Sequence, residues 1–389
     1  MWLFAVLLWF GILTMRVTSR WPITAFELAV FALAAALIVR RRFAIHFHPV
    51  SLALAVGALW ALLQAVLGIS IDRQRSLEAS LQWTLNGAAF SLALALTRDR
   101  VHRRRFLTAQ VLFALLAGVA CVIALFTTGQ LGPFAYYNQF AAFLEPALAL
   151  AIAASLWDHR RPLLWILVAA ALFACVVAGG SRAGAILCLV LLILLPLIAF
   201  ARGRMRAKTL AQVAILGLAS ATVLVAVVGW EKIWLRLQEP HPYALRANLA
   251  RSSLAMVHDR PLTGFGLGAW SSAYPAYARY DDGTFVNQAH NDWVQWAAEG
   301  GVPFFLLMLM VVVALARPAW RSLWGLGLMA VFLHALVDYP FEQRPALAAY
   351  IFALAGALAA EGNSSISYPS ISSQGGSSPA EPSSAGLPL

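Results

Sequence analysis

Residues 183–200 read AGAILCLVLLILLPLIAF, eighteen positions without a charge between Arg182 and Arg202. A helix rises about 1.5 Å per residue, so a run of roughly this length covers the ~30 Å of hydrocarbon in a bilayer. Working outward, eleven more apolar runs are broken by charge, Gly or Pro: 1–15, 23–39, 50–69, 81–97, 106–126, 137–156, 163–178, 210–229, 302–316, 322–338 and 346–360. The first has no basic stretch ahead of it and no A-x-A site before Arg16, which argues for a span rather than a signal peptide.

The composition agrees. Of 389 residues, 61% are hydrophobic and 12% charged, against about 45–50% and about 25% in soluble domains. That excess excludes a plain soluble enzyme, because no set of soluble domains hides so much apolar surface from water. Net charge is +11, but the basic residues form short clusters between apolar runs, the pattern of topology determinants rather than of nucleic-acid binding. Cys121, Cys175 and Cys188 lie inside apolar runs with no CxxC and no histidine pair nearby, so neither a disulfide framework nor a zinc site is expected. No metal and no cofactor are expected.

Sidedness follows from the short loops. Arg40–Arg42, Arg98 to Arg105, Arg160 and Arg161, Arg202 to Lys208, and Arg317 with Arg321 give sixteen basic residues to one side. Arg16, Arg20, Arg73, Arg75, Arg182 and Arg344 give six to the other. The positive-inside rule makes the first side cytoplasmic, with both termini on it. The expectation is an all-α polytopic membrane protein of about twelve transmembrane helices. Nine lie within 1–229, a long periplasmic helical loop occupies 230–301, and three more helices fill 302–361. Residues 362–389, rich in Ser, Pro and Gly, form a disordered cytoplasmic tail. No internal repeat is evident.

Ionisable groups in or beside hydrocarbon are costly unless paired or hydrated, so their placement is informative. On this topology they collect at the outer face. Arg75 sits in the loop before the fourth span, Asn138 and Gln139 open the sixth, and Arg182 opens the eighth in GGSRAG. A guanidinium beside a helix N-terminus is an anion site; the bland alternative is an arginine reaching to lipid headgroups. Pro242 is placed to start a surface helix carrying Arg246, with Leu245, Leu249 and Met256 on one face. Gly264-Phe265-Gly266-Leu267-Gly268 is not a nucleotide loop, since no strand precedes it; it reads as a turn between outer helices. Asp281-Asp282 before Gly283 reads as a hydrated turn. In HNDWVQWAAEGGVP, helical spacing puts His290, Val294 and Ala297 on one face and Asn291, Gln295 and Glu299 on the next; Gly300 and Gly301 stop the helix and Pro303 starts another. His334 and Asp338 are spaced i, i+4 and read as a structural pair at a helix end. Glu145 in the sixth span is the notable acid at membrane depth.

The long loop before the last three spans, the SRAG turn, Arg260 followed by PLTGFGLGAW, the HNDWVQWAAEGGVPFFLL segment and the HALVDYP ending resemble the O-antigen ligase and O-antigen polymerase superfamily of bacterial inner-membrane glycosyltransferases. The resemblance covers most of residues 130–345, and the first four spans are similar only in hydropathy. It implies transfer of a glycan from a polyprenyl-diphosphate carrier to an acceptor hydroxyl at the periplasmic face, without nucleotide sugar or obligatory metal. It further implies that Arg182, Arg246 and, more loosely, Arg75 bind the donor diphosphate. His290 would serve as general base or orienting group, with Asn291, Glu299, Asn138, His334 and Asp338 in support. Where the family often has SRG, this chain has Ser181-Arg182-Ala183-Gly184. The leading version is O-antigen ligation onto lipid A core, with membrane lipid around the protein and no nucleic acid as partner. Repeat-unit polymerisation, protein O-oligosaccharyl transfer and, from a different class, polysaccharide or lipid transport stay open.

Overall fold

The computed structural model describes residues 1–40, 48–158, 160–215, 217, 244–279, 286–342 and 345–364. Among these residues all regular structure is helical. The long elements are α1 (Trp2–Leu13), α2 (Trp21–Val39), α3 (Pro49–Val66), α4 (Arg73–Leu96), α5 (Arg100–Thr128), α6 (Tyr137–Trp157), α7 (Pro162–Gly179), α8 (Arg182–Ala201), α9 (Ala244–Asp259), α10 (Asp292–Ser322), α11 (Gly325–His334) and α12 (Pro345–Ser364). Most of the expected ninth span, 210–229, lies outside the described residues, as do Pro242, the Asp281-Asp282 turn and the tail beyond 364. The C-terminal helix runs to Ser364, slightly past the expected start of that tail.

Eight of these helices, α2, α3, α5, α6, α7, α8, α10 and α12, are long and apolar enough to cross a bilayer. The chain is a multi-pass membrane protein. Two expected spans come out shorter. With 12 residues α1 reaches only about 18 Å at helical rise. The run 322–338 holds the ten-residue α11, after which the chain turns back on itself. In contrast α4 begins well before residue 81, because Asp72 accepts a hydrogen bond from the Arg75 amide and caps a polar first turn. Asp99 does the same for α5 at the His102 amide.

Burial sorts the bundle into a centre and a rim. In α6, 89% of the spanning window is buried, and in α12 83%, against 17% in α2 and 28% in α5; the first two are the core and the last two present their faces to lipid. Small residues let the core helices touch. A Cβ on Gly356 of α12 would stand 2.2 Å from the Phe90 carbonyl oxygen of α4, and one on Gly184 of α8 would stand 2.3 Å from Ala141 of α6. Without a hydrophobic drive between helices inside lipid, such close backbone approach is a main source of helix association.

The polar interval after α8 carries its own small core. Leu249 and Met256 of α9 pack with Phe265, Trp270 and Tyr274. Leu245, expected on the buried face, is exposed; Ser252 and Ser253 take that place, bonding the Tyr277 carbonyl and the Trp270 indole N–H. The Gly264–Gly268 turn is a turn indeed, with positive φ at Gly264, Gly266 and Gly268. It is clamped from two sides. Gln64 of α3 donates to the Thr263 and Glu299 carbonyls and accepts from the Leu267 amide. The Glu299 carboxylate accepts from the amides of Gly268 and Trp270.

That clamp depends on a break in α10. Gly301 has φ 74° and ψ 174°, interrupting the helical backbone. The carbonyls of Ala298 and Glu299 accept instead from Phe265 and Gly266. The glycine pair thus stops one helical segment and Pro303 lies in the next, as the sequence suggests.

Close contact at Gly356 predicts a mutational contrast. Gly356→Ala should lower stability by about 1–3 kcal/mol through overpacking. Gly87→Ala, whose new Cβ would meet Leu54 at an ordinary 3.6 Å, should be neutral or gain about 0.5–1 kcal/mol from helix propensity. Thermal melting of the two variants in one detergent checks this.

Candidate functional site

Beyond α11, Asp338 is 3% exposed, and its carboxylate gathers three other segments of the chain. Its Oδ2 accepts from the Asn138 side-chain amide at the start of α6 and faces the Arg246 guanidinium of α9 at 3.5 Å. Oδ1 accepts from the Tyr339 amide and stands 3.9 Å from His290 Nδ1. The last separation is too long for a hydrogen bond; it becomes an ion pair when the imidazole is protonated.

Asn138 extends the network to α8. Its side-chain oxygen accepts from the Ser181 hydroxyl at 2.7 Å, and Ser181 Oγ in turn accepts from the Gly184 amide, capping α8 with Arg182 as its first residue. The turn is closed by Gly180, which ends α7 in the left-handed region at φ 87°. The shift of glycine to position 184 therefore leaves the cap intact, and the displaced glycine is the one that admits Ala141. Arg182 lies half-buried beside this cap.

His290 is not on the helix where spacing alone would put it. It precedes α10 with φ 52°, an uncommon region for a residue with a Cβ. Asn291 is the N-cap, its side chain accepting from the Val294 amide. Asp292 is fully buried and accepts from the Phe341 amide, while its own amide bonds to Ala335. These bonds fasten the start of α10 to the turn that carries Asp338. The His290 ring meets the edge or face of Tyr339, centroids 4.8 Å apart, and Tyr339 meets Tyr136 in the same way.

Of the sequence-derived residues, Arg246, His290, Asp338, Asn138 and, through the Ser181 cap, Arg182 come together. Arg75 does not join them. It lines a cavity of about 400 Å³ with Arg20, Glu27, Gln82, Gln288 and Glu342, and none of the cluster residues lines that cavity. Asn291 and Glu299 hold backbone rather than an open site. His334 and Asp338 share no side-chain hydrogen bond: the Asp338 amide bonds to the His334 carbonyl, but the two side chains go to different partners on α6, His334 Nδ1 to Glu145 at 2.6 Å and Asp338 to Asn138. Sequence reasoning missed Asp338 as the hub, and with it Ser181, Tyr339 and Tyr136. Gln139, read from sequence only as opening the sixth span, is buried with neither amide atom hydrogen-bonded among the described residues. The one local signal was an acid followed by Tyr-Pro just past an apolar run.

The chemistry available is specific. Burial pushes His290 below the usual histidine range, Asp338 pushes it back up and Arg246 pushes it down. The net direction is down, which favours the neutral imidazole; Nδ1 is the nitrogen turned toward the Asp338 carboxylate. Near it stands the Arg246 guanidinium, 3.5 Å from the same carboxylate, whose planar fork suits phosphate oxygens.

A family model described as O-antigen ligase matches residues 166–309, just over a third of the chain. The matched stretch holds Arg182, Arg246 and His290, and bears out the resemblance to the O-antigen ligase and polymerase superfamily. No curated protein matches the chain.

The geometry fixes the sign of two titration shifts. Arg246→Gln removes a cation facing His290, so the imidazole should protonate at higher pH than in the wild type; Asp338→Asn should move protonation to lower pH. Acylation of His290 by diethyl pyrocarbonate, followed against pH by peptide mass spectrometry, reads both. Three superimposable profiles would mean that these groups do not share a field.

Proposed function

We propose that the chain transfers a glycan from a polyprenyl-diphosphate carrier to an acceptor hydroxyl at the periplasmic face of the bacterial inner membrane, with ligation onto lipid A core as the leading form. The observation that carries this reading is the convergence of Arg246, His290 and Asp338 with the Arg182 cap at one end of the bundle. The O-antigen ligase family match over these residues supports it.

In the reaction the acceptor oxygen bonds to the anomeric carbon, the bond from that carbon to the diphosphate breaks, and the acceptor proton must leave. Arg182 and Arg246 stabilise charge growing on the departing diphosphate, the role of fixed cations in phosphate chemistry. Two cations are apt because the leaving group carries more than one negative charge. His290 accepts the proton at Nε2, and Asp338 holds the ring and balances the imidazolium as it forms. Tyr136, 41% exposed, offers its ring to a sugar, and buried Tyr339 backs it. On this reading the reaction requires neither a nucleotide sugar nor a metal ion, and Arg75 serves the neighbouring cavity.

The test is reconstitution of the purified protein with a lipid-linked glycan, with and without lipid A core. Glycan appearing on the core supports ligation. A ladder on the carrier without core means polymerisation, and glycan crossing the bilayer without transfer means transport. Charged hydrogen bonds contribute about 1.5–3 kcal/mol each, so Arg182→Ala or Arg246→Ala should lower transfer on the order of ten- to a hundredfold, with Lys rescuing only in part. His290→Gln keeps a hydrogen bond but not a base; near-normal turnover in that variant would leave His290 an orienting role alone.

Orientation has its own test. The clusters at Arg103 and Arg204 are taken as cytoplasmic, with both termini, and the interval 230–300 as periplasmic. In a background lacking Cys121, Cys175 and Cys188, a cysteine at Ser271 should react with an impermeant thiol reagent on intact spheroplasts and one at Thr209 should not. The reverse pattern inverts the topology.

A further inference from the structure

At the end of the bundle away from His290, arginines from different parts of the chain meet around a second cavity of about 280 Å³. Arg100, Arg103 and Arg104 come from the start of α5 and Arg321 from the end of α10, with Trp157 at the end of α6 and Glu361 near the end of α12. Arg103 is 5% exposed and is fixed by one guanidinium nitrogen that donates to the carbonyls of Thr97 and Arg98. Arg104 lies over the Trp157 ring at 5.8 Å. Glu361, the one acid among the described residues of the wall, accepts from the Trp324 indole; against four arginines it leaves the cavity a surplus of positive charge.

Topology alone asks for basic residues on this side, but it asks only that they reach water. It does not ask that one be buried, or that segments about two hundred residues apart turn theirs into one recess. Three features suit a phosphate that belongs to a lipid. The recess sits at helix ends, where headgroups lie. Leu107, Trp157 and Pro318 give its wall an apolar part. Above it on α5, Leu112, Leu116, Val119 and Ile123 are exposed at spacings of four, three and four, a continuous apolar stripe on one helix face. A headgroup held among the arginines would lay its chains along α5. Basic pockets between membrane helices bind anionic headgroups in this way.

The geometry points to a specific site for an anionic phospholipid headgroup lined by Arg100, Arg103, Arg104 and Arg321, at the opposite end of the bundle from the candidate catalytic cluster. It does not depend on the proposed transfer reaction.

Binding to the purified full-length protein is measured by native mass spectrometry and by thermal stabilisation, using dioleoylphosphatidylglycerol, dioleoylphosphatidylcholine, glycerol phosphate and inorganic phosphate as probes. Each basic side chain near an anionic headgroup contributes about a factor of five. The triple variant Arg100→Gln, Arg104→Gln, Arg321→Gln should therefore weaken phosphatidylglycerol binding about a hundredfold. It leaves the buried Arg103 in place, so the fold is spared. The control Arg98→Gln, Arg105→Gln, Arg206→Gln removes equal charge from exposed positions outside the recess and should keep most of the binding. Equal losses in the two triple variants would show that charge in general, not the site, attracts the lipid. Saturation by inorganic phosphate or glycerol phosphate at the same concentration would show a free-anion site, and equal binding of phosphatidylcholine would show no selectivity; either overturns the proposal.

Discussion

A buried carboxylate must be matched by donors and cations, and at Asp338 the donors come from far apart in the chain. Asn138 is two hundred positions away and Arg246 ninety-two. Leaving one partner of such a group unmatched typically costs about 3–5 kcal/mol, so the network selects one arrangement of α6, α9 and the turn after α11. His290 is held at its edge by a ring contact with Tyr339 and by the positive φ that swings the chain into the Asn291 cap. Fold and candidate chemistry thus share one constraint.

A second constraint concerns backbone. Polar groups of the main chain find no water in hydrocarbon, so irregular backbone near it must bond to protein. The break at Gly301 releases the carbonyls of Ala298 and Glu299, and the turn at Gly264–Gly268 supplies their donors. A Cβ at Gly264 would stand 2.2 Å from the Glu299 oxygen, so glycine there is a requirement of close approach. Glu299, expected as a supporting site residue, finishes the same job with its side chain. Its place in the HNDWVQWAAEGG segment follows from the turn it holds.

Apolar runs marked the long spans well because hydropathy and spanning length are one physical fact. Pro49–Val66, Tyr137–Trp157 and Arg182–Ala201 lie close to the runs read at 50–69, 137–156 and 183–200. Helix ends were less legible because caps, not apolarity, set them. Asp72 and Asp99 start α4 and α5 several polar residues early. The residues that carry charge at the site were visible as types out of place. Their pairing was not, because i, i+4 spacing says which residues share a face and not which residues of another helix they meet. The Asp338–Asn138 and His334–Glu145 contacts link positions about two hundred apart, which no local period records.

Those two contacts also fix where α11 ends against α6. Asn138 and Glu145 are seven residues apart on α6, two turns along one face. His334 binds the deeper of the two, and Asp338 the shallower. One further turn follows His334, its Val337 and Asp338 amides bonding back to the His334 carbonyl, and it brings the Asp338 carboxylate to Asn138. Close packing makes the double attachment possible, since a Cβ on Gly327 would stand 2.6 Å from Ala149 and 3.0 Å from the Glu145 carbonyl oxygen. The turn after α11 is therefore fixed to the most buried helix at two depths. Asp338 inherits its position from that attachment, and the separation between Arg246, His290 and the Arg182 cap is set by α6 rather than by the loops that carry them.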